Sequence, residues 1–192
     1  MTPAPTKERN RLSAEDWELG ALEMIAEEGV DALAVEALAR RLGVTKGSFY
    51  WHFRTRESLL EAALERWEAH DERHLMTRVG SHDKPRARLR ELFHWVAREV
   101  QPHRIYAALL QALDHPQVRP LMSRVSQRRI DFLSIAYRQS GLERAEALNR
   151  ARLAYAAYVG FLQLNLTLDL PRLSQDEFDA YVEHVIATLV PV

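Results

Sequence analysis

The chain has 192 residues with 26 Lys/Arg against 27 Asp/Glu, a net charge of −1, 47% hydrophobic residues and no cysteine. That length supports a sizeable core in one or two compact units, and the absence of cysteine excludes disulfides and thiolate metal sites and fits a reducing cytoplasm. The balanced charge carries no bulk basic signal for nucleic acid, so any such signal must be local.

Residues 1–12 are polar and lack the apolar run of a signal peptide. They read as a flexible arm, in which Lys7, Arg9 and Arg11 either reach into a minor groove or belong to a plain polar tail. Ser13-x-x-Asp16 is a capping box for a first helix, striped by Trp17, Ala21, Met24 and Ile25 and closed at Glu28-Gly29. A second helix follows, with Val35, Leu38, Ala39 and Leu42 at i, i+3, i+4 and i+7, and Gly43 ends it. Thr45 is placed as N-cap of a third helix, where Phe49 and Phe53 point together at the core. Lys46, Gly47, Ser48, Tyr50, Trp51 and His52 then face outward. Exposed aromatics leave apolar area in water, but against DNA such a face is useful: hydroxyls and His reach phosphates, Lys a base edge, an aromatic a thymine methyl. Charge agrees. From Ala37 to Arg56 there are five basic residues (Arg40, Arg41, Lys46, Arg54, Arg56) and no acidic one. The pattern predicts a helix-turn-helix whose second helix enters the major groove.

Gly43-Val44-Thr45-Lys46-Gly47-Ser48-Phe49-Tyr50-Trp51-His52-Phe53 resembles the signature of the TetR family of transcriptional repressors, and the resemblance extends over about residues 12–68. It implies that Thr45, Lys46, Ser48, Tyr50, Trp51, His52 and Arg56 match positions that contact DNA. Gly47 matches a small or turn-forming position that lets the backbone approach. Two residues depart from the family pattern. Leu33 and Ala34 stand where a capping hydroxyl is common, and Glu36 where some relatives place a basic residue. By the resemblance, residues 13–58 form the DNA-binding domain, with a fourth helix from about Thr55 as connector, and 59–192 a helical ligand-binding and dimerisation domain.

Turn signals divide the remainder. Residues 80–85 read as a loop, then helices run to about Val100, to about Leu113, to Gln139 before Ser140-Gly141, and to Leu170-Pro171. Ser174-x-x-Glu177 caps the last helix, striped by Phe178, Tyr181, Val182, Val185, Ile186 and Leu189. No segment alternates as a strand, so the fold class is all-α, with about nine helices. Residues 153–168 are apolar nearly all round yet too short for a membrane span. Such a helix needs cover on every side, from a core and from a second subunit. Ala156 and Gly160 allow close approach, and the resemblance implies a homodimer interface that also takes in Tyr181, Val185 and Leu189. It further implies a pocket for a small-molecule effector, for which Trp67, Phe93, Trp95, His103, Tyr106, Tyr137, Tyr155, Tyr158, Phe161, Gln163 and Asn165 are the candidates. Gln163 and Asn165 in particular need polar partners.

His70/His74 and Glu91-x-x-His94 carry metal-ligand spacings, but the first pair lies on a charged face and the second lacks a matching repeat. No nucleophile motif or phosphate loop is present, so neither enzyme activity nor a cofactor is expected. The expectation is a cytoplasmic, ligand-responsive repressor that binds a palindromic operator in double-stranded DNA as a homodimer. The rivals are a non-specific architectural DNA binder and a metal-dependent helical-bundle enzyme.

Overall fold

Ser13 opens α1 (Ala14–Glu28) through the expected capping box. Its hydroxyl accepts from the Asp16 N–H at 3.2 Å, and the Asp16 carboxylate accepts from the Ser13 N–H at 2.7 Å. The computed structural model describes residues 12–79, 84–98, 101–168, 170 and 173–191, and among these every regular element is helical. Residues 1–11 of the expected arm, with Lys7, Arg9 and Arg11, and 80–83 of the expected loop lie outside the described residues, while Leu12 packs against the first apolar cluster. After α1 come α2 (Val35–Arg41), α3 (Lys46–Phe49) and α4 (Arg56–Val79), then α5 (Pro85–Arg98), α6 (Gln101–Gln111), α7 (Val118–Gln139), α8 (Arg144–Leu162) and α9 (Gln175–Leu189). Gly43, at φ 69°, makes the turn between α2 and α3 in the left-handed region that favours glycine.

Two apolar clusters hold the chain together. In the first, Trp17, Leu38, Phe49 and Leu60 from α1–α4 join Tyr106, Leu109, Leu121 and Val125 from α6 and α7 without a break. The N-terminal helices therefore share one core with the helices behind them, and α1 packs closely on both α4 and α6. The second cluster gathers Leu89, Tyr137, Ala147, Ala151, Ile186 and Leu189 from α5 and α7–α9.

α4 links the two ends. Arg66 pairs with Glu15 at 2.9 Å and with Glu18, tying α4 to α1. Farther along, Glu68 takes Arg124 at 2.8 Å and Arg128 at 3.3 Å, tying it to α7.

The apolar run after Leu153 ends earlier than expected. α8 stops at Leu162 and passes into a π-turn, Gln163–Thr167. There the Asn165 side chain donates to the Phe161 carbonyl at 2.8 Å, and Gln163 accepts from Gln111 at 3.1 Å. Each amide thus has a polar partner inside the protomer. The all-round apolarity of α8 is resolved by exposure, with Leu153 at 58% and Leu164, Leu166 and Leu168 also in solvent.

Candidate functional site

Phe49 fixes how the third helix presents itself. Its ring is fully buried, edge-on to Trp17 at 5.4 Å and against Phe53 at 5.7 Å. With that anchor inside, Thr45, Lys46, Gly47, Tyr50, Trp51 and His52 are exposed, and Ser48 is half-buried. Tyr50 and Trp51 stand 57% and 77% in solvent. The regular helix is only four residues long, and Thr45 occupies its N-cap position without using its hydroxyl as the cap; instead the Ser48 hydroxyl donates back to the Thr45 carbonyl at 2.7 Å. The Thr45 hydroxyl is therefore not spent on capping the helix.

Part of the basic stretch is paired with carboxylates within the fold. Arg41 makes a two-pronged pair with Glu27 at 2.6 and 2.8 Å, and Lys46 is bonded to Glu36 across the turn. The Lys46 ammonium holds the Glu36 carboxyl below its ordinary value. Arg56 differs from the phosphate-facing role implied for it: its guanidinium turns inward and donates to the carbonyls of Leu33 at 2.6 Å and Val30 at 2.8 Å. The physical reason is that the α1–α2 connection leaves those carbonyls without helical partners, and a charged donor at the start of α4 meets them. Charge-assisted bonds of this kind contribute about 1.5–3 kcal/mol each in mutational tests. Arg56→Met is therefore expected to lower stability by about 2–3 kcal/mol in urea denaturation, whereas a purely phosphate-facing side chain would leave the midpoint unmoved.

Behind the N-terminal helices lies a cavity of ≈ 190 Å³, walled by α4–α9. Of the residues expected around a pocket, Phe93, Trp95, His103, Tyr155, Tyr158 and Phe161 line it. The others do not. Trp67 and Tyr106 are core residues packed on each other at 6.2 Å, Tyr137 is buried in the second cluster, and Gln163 and Asn165 are bonded as described above. His103 Nε2 donates to the Val96 carbonyl, an acceptor only, at 2.5 Å, and Nδ1 is hydrogen-bonded with the Tyr158 hydroxyl at 2.8 Å. Burial pushes the Tyr158 hydroxyl up to about 12, so it stays a donor at neutral pH. The Tyr106 hydroxyl bonds that of Tyr155, which donates on to Ser126 at 2.8 Å.

Sequence reasoning missed two charged lining residues, Asp71 of α4 and Arg129 of α7, paired at 2.5 Å. A signal was available. Asp71 continues the buried Leu60, Leu64, Trp67 stripe, and Arg129 follows buried Leu121 and Val125 at four-residue steps. Opposite charges at core positions of two helices are a pair in waiting.

The residues expected at a dimer interface separate into two groups. Ala156 is exposed, and beyond the Gly160 Cα a Cβ would meet nothing within 4 Å. Tyr181 and Val185 instead border the cavity, with Tyr181 stacked on Phe161 at 5.0 Å, and Leu189 is buried in the second cluster. α9 turns that stripe inward because it packs on α5. Among the described residues no three His, Asp or Glu side chains converge as metal ligands. His94 Nε2 lies 3.4 Å from Glu183, and the side chain of His74 is outside the described residues.

Residues 19–63 match the family described as bacterial regulatory proteins, tetR family. Over this span the chain resembles the N-terminal region of the TetR family. The matched span carries Thr45–His52 and Arg56, and ends within α4, short of the cavity. The tetracycline repressor protein class A from transposon 1721 of Escherichia coli is 43% identical over 59 residues, 31% of this chain and 27% of that protein. An HTH-type transcriptional repressor of Mycobacterium tuberculosis is 36% identical over 67 residues, 34% of this chain and 26% of that protein. The chain therefore spans about a quarter of the length of the curated relatives it matches. A TetR-family regulator from Agrobacterium tumefaciens superposes with a TM-score of 0.76 at 14% identity, covering 93% of this chain and 97% of that one. A regulator from Saccharomonospora viridis, solved in complex with choline, reaches 0.75 at 16% identity over 90% and 92%. Among the described residues no helix is long and apolar enough to cross a membrane.

Proposed function

We propose that the protein is a cytoplasmic transcriptional repressor that binds a palindromic DNA operator as a homodimer and leaves it when a small molecule fills the cavity. The observation that carries the DNA-binding part is the exposed Lys46–His52 face above buried Phe49. Thr45, Lys46, Gly47, Ser48, Tyr50, Trp51 and His52 are the contacts of this reading, and Arg56 acts through the fold by holding the α1–α2 connection. Two such helices in a dimer would reach major-groove faces about 34–36 Å apart. The exposed leucines of the α8–π-turn segment, with Ala156 and Gly160, supply the apolar surface for the second copy.

Release follows from α4, which carries Arg56 at one end and Asp71 in the cavity wall. A ligand that prefers another placement of Asp71 shifts the population toward it, and the clamp on Val30 and Leu33 moves the N-terminal helices with α4. The choline complex of the Saccharomonospora relative supports a small-molecule site in this architecture.

Selection of genomic fragments by the purified protein, with the bound fragments sequenced, tests the proposal. Recovery of a few palindromic sites supports it; uniform recovery with steep salt dependence would replace it by architectural binding. Glu36 provides a sharper check. Glu36→Gln releases Lys46 without changing shape, so affinity for a fixed duplex is expected to rise about three- to tenfold at low salt, with a salt slope steeper by about one phosphate contact. Fluorescence anisotropy across a salt series reads both quantities.

A further inference from the structure

Among the lining residues the charged pair is Asp71 with Arg129, and its two halves are served unequally. Arg129 donates through Nη2 to Asp71 Oδ1 at 2.5 Å, and its guanidinium carbon lies 4.4 Å from the Tyr106 ring centre and 5.6 Å from that of Tyr158. Its positive charge is thus met by a carboxylate and two aromatic faces. Asp71 receives only that one bond, and its Oδ2 is buried without any hydrogen-bond partner. A buried carboxylate oxygen without a donor is an unmet demand, and the residue that carries it is among those lining the cavity. The remaining wall is mainly apolar, with the rings of Phe93, Trp95, Phe132 and Phe161. Aromatic faces carry negative potential and favour a cation over an anion.

We infer that the cavity takes a protonated amine on an apolar, ring-sized body, with the ammonium group paired to the Asp71 carboxylate. The inference rests on the reading of this cavity as the effector site and names the class of effector. An acid would bring a second negative charge beside Asp71 while Arg129 is already engaged. A neutral alcohol would bring no charge to the Asp71 carboxylate and gain little from the rings. An apolar cavity of about 150 Å³ holds one benzene, so a volume of ≈ 190 Å³ suits a somewhat larger body such as a naphthyl group.

The test uses three matched probes on the full chain: 2-naphthylmethylamine, 2-naphthylmethanol and 2-naphthoate. Titration calorimetry at about pH 7 keeps the amine protonated. The amine is expected to bind about tenfold tighter than the alcohol, with the naphthoate weakest. Replacing the pair together, Asp71→Leu with Arg129→Leu, leaves no buried charge and preserves folding; there the amine and alcohol should bind within about twofold of each other. Naphthoate binding as tightly as the amine would overturn the inference, as would an amine preference that survives the double replacement or no binding by any probe at about 1 mM. Operator binding by the same preparation separates the two readings. Selective amine binding that leaves operator affinity unchanged supports the ligand class and refutes the effector role. Specific DNA recovery without amine selectivity overturns the ligand class alone.

Discussion

Truncating Phe49 to alanine is expected to lower stability by about 3–5 kcal/mol and to abolish specific DNA binding with it. A four-residue helix has almost no stability of its own, because nucleation costs more than so few hydrogen bonds return. What holds the Lys46–His52 face in place is the buried ring, wedged between Trp17 and Phe53. Removing it opens a cavity at the junction of α1, α2 and α3, in a core that continues into α6 and α7. The loss should therefore appear as a lowered midpoint of one cooperative transition in urea, rather than as local fraying. Tyr50→Ala is the control on the adjacent residue. With its side chain more than half in solvent, it should change stability by less than about 0.5 kcal/mol while still weakening operator binding. Denaturation followed by tryptophan fluorescence, beside anisotropy with labelled DNA, distinguishes the two. Equal loss of folding in both variants would mean that Tyr50 is structural and the outward face is misassigned.

The features legible in the sequence are those with local causes. Ser13 and Ser174 each make the capping box their spacing announced, and the Trp17, Ala21, Met24, Ile25 stripe is the buried face of α1. The partners of the basic residues were not legible, because each lies across the fold. Arg41 meets Glu27 fourteen residues away, and Arg56 meets carbonyls that no side-chain pattern encodes. α8 was illegible for a different reason. A helix apolar all round has no phase, so nothing in residues 153–162 distinguishes Tyr155 and Tyr158, which reach the cavity, from Leu153, which reaches solvent. α9 has a clear phase, but its stripe does not say whether its neighbour is α5 or a second subunit. The cavity wall was half legible: its aromatics were recognised by type, while Asp71 and Arg129 were not among the candidates.

That pair supports the second large effect. Arg129→Leu alone is expected to cost about 3–5 kcal/mol, since it leaves the Asp71 carboxylate in the wall with neither oxygen bonded. Asp71→Leu alone should cost somewhat less, because the Arg129 guanidinium keeps its contacts with the faces of Tyr106 and Tyr158. The double replacement should recover most of the loss, as leucines fill a site whose other neighbours are aromatic and aliphatic. A double-mutant cycle in urea therefore reads a coupling energy of several kcal/mol, and additive single effects would refute the pairing as a structural unit. If the double variant matches or exceeds the original in stability, the ion pair is not there to hold the fold together. Its place on α4, the helix whose first residue clamps the α1–α2 connection, then has its explanation in ligand recognition: a chain that kept apolar residues here would be as stable, but could not sense charge in the cavity.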